Sequence, residues 1–222
     1  GLRVFVGKRS ASIHTSDFAP EGLKALAERA VQMARHAPED RHSGLAPADA
    51  QFTGDLPDLE LDEPDQPDPA ALREAALATE EAARAVEGVT NSNGGSASAS
   101  RAVVALATST GFARGYAGSG FSLSASVVAG EGSSMQTDHA SRGARFLSDL
   151  PAPETVGSEA GRRAVERLNP KSIASSKLPI VFEPRIAGGL ISHLLGAMSA
   201  PAIARKASFL LGHEADELFD RA

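Results

Sequence analysis

A chain of 222 residues with 42% apolar content, nine Phe, one Tyr and no Trp has room for one large or two modest domains built on Ala, Leu and Val. Its net charge of −6 excludes a broad phosphate-neutralising surface, so no nucleic-acid partner is expected, and the lack of cysteine excludes a disulfide scaffold and any thiolate zinc site. No run approaches the ~18 apolar residues of a membrane span and no basic stretch precedes a short apolar one, so the sequence reads as a soluble, cytoplasmic protein with no membrane partner.

Leu2 to Val6 and Ser10 to Thr15 flank Gly7-Lys8-Arg9, a hairpin signal with glycine in the turn. Pro20 then opens a helix whose apolar residues Leu23, Leu26, Ala27, Ala30, Val31 and Ala34 recur at helical spacing. From His42 to Leu72 there is no Lys or Arg, while Asp49, Asp55, Asp58, Glu60, Asp62, Glu63, Asp65 and Asp68 alternate with five prolines at 47, 57, 64, 67 and 69. Carboxylates at alternate positions could serve a calcium ion or a basic peptide. The turn glycine of a calcium loop is missing, however, and the stretch reads as an extended acidic connection whose Leu56, Leu59 and Leu61 dock on the domain.

A second helix is predicted from about Pro69 to Glu87, with Leu72, Ala76, Thr79, Ala83 and Val86 on one stripe and Gly88 as its C-cap. Asn91 to Ser100 is rich in Gly and Ser, and Asn93-Gly94 predicts a tight hairpin turn within it. Strand signals follow. Phe121, Leu123, Ala125 and Val127 alternate with Ser122, Ser124 and Ser126, Val103, Ala105 and Ala107 repeat the pattern, and Gly130-Glu131-Gly132 marks a turn. Several antiparallel strands are therefore expected between Ser100 and about Ala144. Pro153 to Leu168 is again helical, with Val156, Ala160, Ala164 and Val165 inward, and Asn169-Pro170 ends it.

Four groups in this region invite a chemical reading. Gly115 to Gly120 holds three glycines but lacks the spacing and the following helix of a nucleotide loop, and reads as a turn. Thr137-Asp138-His139 near Ser141 offers hydroxyl, carboxylate and imidazole, but neighbours on a strand point to opposite faces and cannot form a triad alone. The face of Ser122, Ser124 and Ser126 could line a groove for an extended peptide or simply be solvated. Near the end of the chain, His213 and Glu217 stand at i and i+4 of a predicted amphipathic helix and are metal candidates, with a third ligand from His193 or His139.

The most specific stretch is Pro179 to Ala197. Leu178-Pro179-Ile180-Val181-Phe182 reads as a buried strand, Glu183-Pro184-Arg185 as a tight turn, and the following residues as a buried helix. That helix carries Ile186, Leu190, Ile191, Leu194, Leu195 and Met198 around most of its circumference, with Ala187, Gly188, Gly189 and Gly196 between. Strand, turn and small-residue helix, followed by Ala204-Arg205-Lys206-Ala207-Ser208-Phe209, resemble the entry to the C-terminal domain of the TldD/PmbA family, the so-called modulators of DNA gyrase. The resemblance implies that in the catalytic branch this helix bears HExxxH, two zinc histidines and a glutamate base. Here the matching residues are Ser192-His193-Leu194-Leu195-Gly196-Ala197. Ser192 is a poor ligand, Ala197 is none, and His193 stands where the glutamate would be, so no catalytic residue and no cofactor are expected in this chain.

The resemblance thus points to the PmbA type, a subunit of a cytoplasmic metallopeptidase complex acting on peptides, with zinc in a TldD-like partner; a homodimer is the alternative assembly. Two other readings stay open: an independently active metal-dependent hydrolase, and a non-enzymatic modulator of gyrase or toxin systems. The expected fold is α+β. Residues 1–175 form an N-terminal domain of two hairpin-and-helix halves, about 1–90 and 91–175, and residues 176–222 begin a β-rich C-terminal domain with one buried helix. The chain starts inside a strand without an initiating Met and closes inside an amphipathic turn, so it reads as an internal portion of a longer protein.

Overall fold

Proline opens each long helix: α1 spans Pro20–His36, α2 Pro69–Arg84, α3 Pro153–Glu166 and α4 Pro184–Met198. Its missing N–H falls where a helix leaves donors unpaired anyway, and its fixed φ suits the first turn. Asp68 adds a side-chain cap to α2, accepting from the Ala70 N–H at 2.7 Å. In the computed structural model, which describes residues 1–213 and Asp216, the chain forms two units, Gly1–Pro170 and Lys171–Ala222.

The first unit holds a two-stranded hairpin of β1 (Leu2–Val6) and β2 (Arg9–Ile13) turning at Gly7, whose φ of 60° suits glycine. Helix α1 packs on this hairpin. The Arg9 guanidinium donates to the Ala37 carbonyl at 2.8 Å, placing a cation at the C-terminal end of α1 where the helix dipole favours it. Farther along, β3 (Val89–Ala107), β4 (Ala113–Ala129) and β5 (Gln136–Ala144) form an antiparallel sheet in the order β3-β4-β5. Both α2 and α3 pack on one face of it.

The expected alternation holds along β4, where Phe121, Leu123, Ala125, Val127 and Ala129 are buried and the serines between them are half-buried on the opposite face. Beneath the helices lies a core of small side chains, among them Ala83, Ala125, Val127, Ala140, Val156, Ala160 and Ala164. Small residues let backbones approach. A Cβ on Gly157 of α3 would sit 2.1 Å from the Thr79 carbonyl oxygen of α2, and one on Gly95 of β3 would sit 2.2 Å from the Ala76 carbonyl oxygen. Thr79 is itself fully buried, and its hydroxyl is satisfied by donating to the Ala75 carbonyl one turn back. Helix α2 thus packs with the sheet and α3.

Charge ties β5 to α3. Glu159 accepts from Arg142 of β5 and pairs with Arg163 at 2.5 Å, and Asp138, only 7% exposed, pairs with Arg167 at 3.5 Å. Burial pushes the Glu159 carboxyl up, but the hydrogen bond from Arg142 and the charges of Arg142, Arg163 and Arg162 outweigh it and hold the group below its ordinary value.

Several sequence expectations are corrected here. Asn93-Gly94 is not a hairpin turn: β3 runs through it, and Gly94, with φ of 109°, sits at a register shift between Ser92 and Gly94. The turn falls at 108–112, where the Thr108 N–H donates to the Phe112 carbonyl and Gly111 takes a φ of 90°. Gly115 to Gly120 is likewise no turn but strand, paired with 100–105 of β3. Both segments find a partner strand alongside, the first across a bulge, and this pairing outweighs local glycine content.

In the second unit, Ser199 links α4 to the short α5 (Ala200–Ala204), and beyond α5 the Ser208 hydroxyl donates back to the Ala197 carbonyl of α4 at 2.6 Å. Residues 178–182 form no strand, since a strand needs a pairing edge and the unit has none among the described residues. Nor is α4 buried within this chain: Ile186, Ile191 and Leu195 are more than half exposed, and Ala197 alone of the helix is buried. No helix among the described residues is long and apolar enough to cross a membrane.

Gly157→Val should lower unfolding stability by ~1–3 kcal/mol through overpacking against α2, measured by urea denaturation. Gly188→Ala, at a helical position with nothing within 4 Å of the added methyl, should raise it by up to ~1 kcal/mol. Glu159→Gln should cost about 1 kcal/mol at neutral pH. Because the Glu159 carboxyl lies below the ordinary value of 4.5, its contribution is present above that pH and lost as pH falls through the lowered value, so the gap between wild type and variant should close in acid.

Candidate functional site

On α4 the residues matched to the metallopeptidase motif take positions that ligand chemistry does not favour. Ser192 turns its hydroxyl back onto the Gly188 carbonyl at 3.0 Å, a helix-internal bond, and the Ala197 methyl is buried. His193 is exposed on the same helix. A hydroxyl engaged with its own backbone, one imidazole and a methyl do not make a zinc ligand set.

The other metal candidates are separated or lie elsewhere. His213 follows Gly212, whose φ of 84° breaks the backbone, and its Nδ1 lies 2.7 Å from an Asp216 carboxylate oxygen. Glu217 is outside the described residues, so its spacing to His213 is not described. His139 faces Ser126 across the strand pair on the open side of the sheet. Among the described residues, no three His, Asp or Glu side chains come together as a metal group.

Asp138 is buried toward α3, where it pairs with Arg167 at 3.5 Å, while His139 is exposed on the other side of β5; the Asp138 carboxylate also accepts from the His139 backbone N–H at 2.7 Å and lies 3.7 Å from the His139 Nδ1. Arg167 and the His139 backbone occupy the Asp138 carboxylate, and no Ser or Thr hydroxyl bond to the His139 ring accompanies the contact among the described residues. The serine face is built largely of cross-strand hydroxyl contacts. Ser98 and Ser122 bond at 2.8 Å, Asn93 donates to Ser126 at 3.2 Å, and Ser100 donates to the Gly120 carbonyl at 3.2 Å.

A concavity lies where the sequence reading placed only a linker. Strands β3 and β4 extend beyond the end of β5, which pairs with β4 from Phe121 onward only. The acidic segment runs alongside this two-stranded ribbon and closes a groove of about 1030 Å³ lined by Leu56 to Asp62 on one side and by Val104, Leu106, Phe112 and Tyr116 on the other. Backbone and carboxylate bonds hold the segment in place. The Ser119 N–H donates to the Leu61 carbonyl at 2.9 Å, the Ser119 hydroxyl accepts from the Glu63 N–H at 2.8 Å, and the Glu63 carboxylate accepts from the Leu147 N–H at 2.7 Å. Arg101 grips Asp62 through two bonds of 2.8 and 2.6 Å, and this hydrogen bonding, with the carboxylate's charge, holds its guanidinium above the ordinary value. The leucines were expected to dock; of the three, Leu61 is half-buried while Leu56 and Leu59 are more than half exposed on the groove wall. The segment passes close to Gly118, where a Cβ would be in ordinary contact with the Leu61 carbonyl at 3.6 Å and would meet the movable end of Arg145 at 3.3 Å.

Two family profiles match this architecture piece by piece: the PmbA/TldA metallopeptidase domain 1 over residues 1–34, the hairpin and α1, and the PmbA/TldA metallopeptidase central domain over 62–168, from Asp62 through α3. The chain belongs to the PmbA/TldD metallopeptidase family. Among relatives, it is 34% identical over 212 residues to the metalloprotease PmbA of Escherichia coli O157:H7, covering 95% of this chain and 47% of that protein. To the Haemophilus influenzae PmbA homologue it is 34% identical over 214 residues, covering 96% and 47%. This chain therefore spans about half the length of the curated relatives it matches. A solved Bacteroides thetaiotaomicron protein whose name refers to modulation of DNA gyrase superposes with a TM-score of 0.86 at 25% identity, over 94% of this chain and 48% of that one. TldE of Thermococcus kodakarensis shares the fold at a TM-score of 0.66 and 24% identity, over 95% and 47%. Membership bears out the resemblance carried by the Pro179–Ala197 block. The groove, by contrast, escaped the sequence reading, because the residues that build it lie far apart and meet only once β3 and β4 pair.

Arg101→Ala should free the acidic segment and speed limited proteolysis between residues 55 and 63 several-fold, while the urea midpoint of the unit moves little, as expected for an exposed ion pair.

Proposed function

We propose that this protein is a PmbA-type subunit of a cytoplasmic TldD/PmbA metallopeptidase complex acting in proteolysis or peptide maturation. The observation that carries the reading is the donor set on α4: Ser192 bonded to the Gly188 carbonyl, His193 in the place of the base, and a methyl at Ala197. Zinc, when bound, supplies an activated water and polarises a carbonyl, and in this reading a TldD-like partner holds it. This chain contributes the fold of the subunit. The exposed apolar residues of α4, Ile186, Ile191 and Leu195 among them, suit packing against further parts of the complex. Family membership and the names of the PmbA relatives support a peptidase setting, while the net charge of −6 gives no support to direct contact with DNA.

Copurification tests the reading. The intact protein should associate with a TldD-like chain, zinc should track the amount of that partner, and His193→Ala should leave the zinc content and peptidase rate of the complex within about two-fold of wild type, the size expected for a group that does not touch the reaction. Stoichiometric zinc in the isolated protein, lost in His193→Ala, would show instead an independently active hydrolase.

A further inference from the structure

The groove between the acidic segment and the ribbon has features that neither the fold nor the α4 block uses. Its walls are apolar and, among the described residues, uncovered: Tyr116 is 58% exposed, Leu106 60% and Leu59 64%. Its volume of about 1030 Å³ is at the upper end of small-ligand pockets. Charges of both signs line it. Arg114 donates only to the carbonyl of neighbouring Ala113, and Arg145 to the Ser119 carbonyl at 3.1 Å, and neither guanidinium meets a carboxylate among the described residues. On the opposite wall, Asp58 accepts only from the Glu60 N–H, and the Glu60 carboxylate has no partner among the described residues. Glu60 also takes a φ of 51°, a conformation that non-glycine residues adopt at a cost. Asp62 does not count toward this set, because Arg101 holds it.

A third observation concerns the main chain. Among the described residues, the outer edge of β4 from Ala113 to Gly118 has no strand beside it, since β5 begins pairing at Phe121 and the acidic segment bonds to β4 at Ser119. Gly115 and Ala117 of that edge line the groove, so unpaired backbone donors and acceptors face its interior. An apolar anion such as a fatty acid would satisfy the arginines and leave the acids and the strand edge without partners. A short peptide with both termini free satisfies all three: a carboxylate for Arg114 and Arg145, an ammonium for Asp58 and Glu60, and amides for the edge, with apolar side chains against Tyr116 and Leu106.

We infer that this groove is a binding site for short apolar peptides with free termini, carried by this subunit alone. It lies wholly in the first unit and needs neither zinc nor a partner chain, so its failure and the failure of the peptidase-complex reading are separate results.

Calorimetry of the intact, partner-free protein with the tetrapeptide leucyl-alanyl-leucyl-phenylalanine tests it. The free peptide should bind saturably, and amidating its C-terminus or acetylating its N-terminus should each weaken binding about ten-fold, the loss expected for one charge-assisted contact. Arg114→Gln with Arg145→Gln should weaken the free peptide by a similar factor and leave the amidated one unchanged, and Glu60→Gln should do the same for the acetylated form. Should the double variant fail to fold by circular dichroism, Arg114→Gln, whose guanidinium donates to the Ala113 carbonyl and lies 6.0 Å from the Phe112 ring centre, carries the comparison. Absence of saturable binding, equal binding of free and doubly blocked peptides, or unchanged preference in the arginine variants would overturn the inference. So would sedimentation showing that Tyr116 is the seat of self-association, with a Tyr116→Glu variant monomeric and no peptide bound by either form.

Discussion

The close approach of α2 and α3 over the sheet governs the rest of the first unit. Where backbones come within reach of a carbonyl oxygen, as at Gly157 against Thr79 and Gly95 against Ala76, the contact tolerates no side chain. The stabilisation there comes from dense packing of many small groups and not from a few large ones. That explains how a chain with little aromatic content builds a core from Ala83, Ala140, Ala160 and Ala164. It also fixes which face of the sheet is left open. With both helices on one side, Ser122, Ser124 and Ser126 of β4 are turned to the other, and the groove forms beyond the end of β5.

Local and long-range signals were legible to different degrees. Helix starts were plain because proline and periodic apolar residues carry them within a few residues, and the buried stripe of β4 was plain because a period of two needs no partner to be seen. Glycine misled in both directions. At Asn93-Gly94 the residue that enables a tight turn equally enables a bulge, and which one forms depends on whether the opposing strand continues, information held some thirty residues away. At 178–182 and on α4 the apolar pattern suggests burial, yet burial is a property of what stands opposite, and within this chain nothing among the described residues does.

The site was legible in part. The α4 block speaks through the identity of three residues, so it could be read directly. The groove speaks through Arg114, Arg145 and Asp58, residues unremarkable one by one, and through a strand edge left open by the length of β5. Such a site is a product of register.

The ribbon formed by β3 and β4 past Phe121 reaches roughly 25 Å at the rise of ~3.3 Å per residue, and a two-stranded ribbon is marginal on its own. Its cover is the acidic segment, held at one end by Asp62 and Glu63 and followed at once by the helix that packs at the centre of the unit. Ribbon and segment therefore share one opening free energy. Amides of 101–119 and of 59–63 would exchange with solvent as a single cooperative group, faster than those under α2 and α3, making the overhang a hinged outer part on an inner part that stays shut.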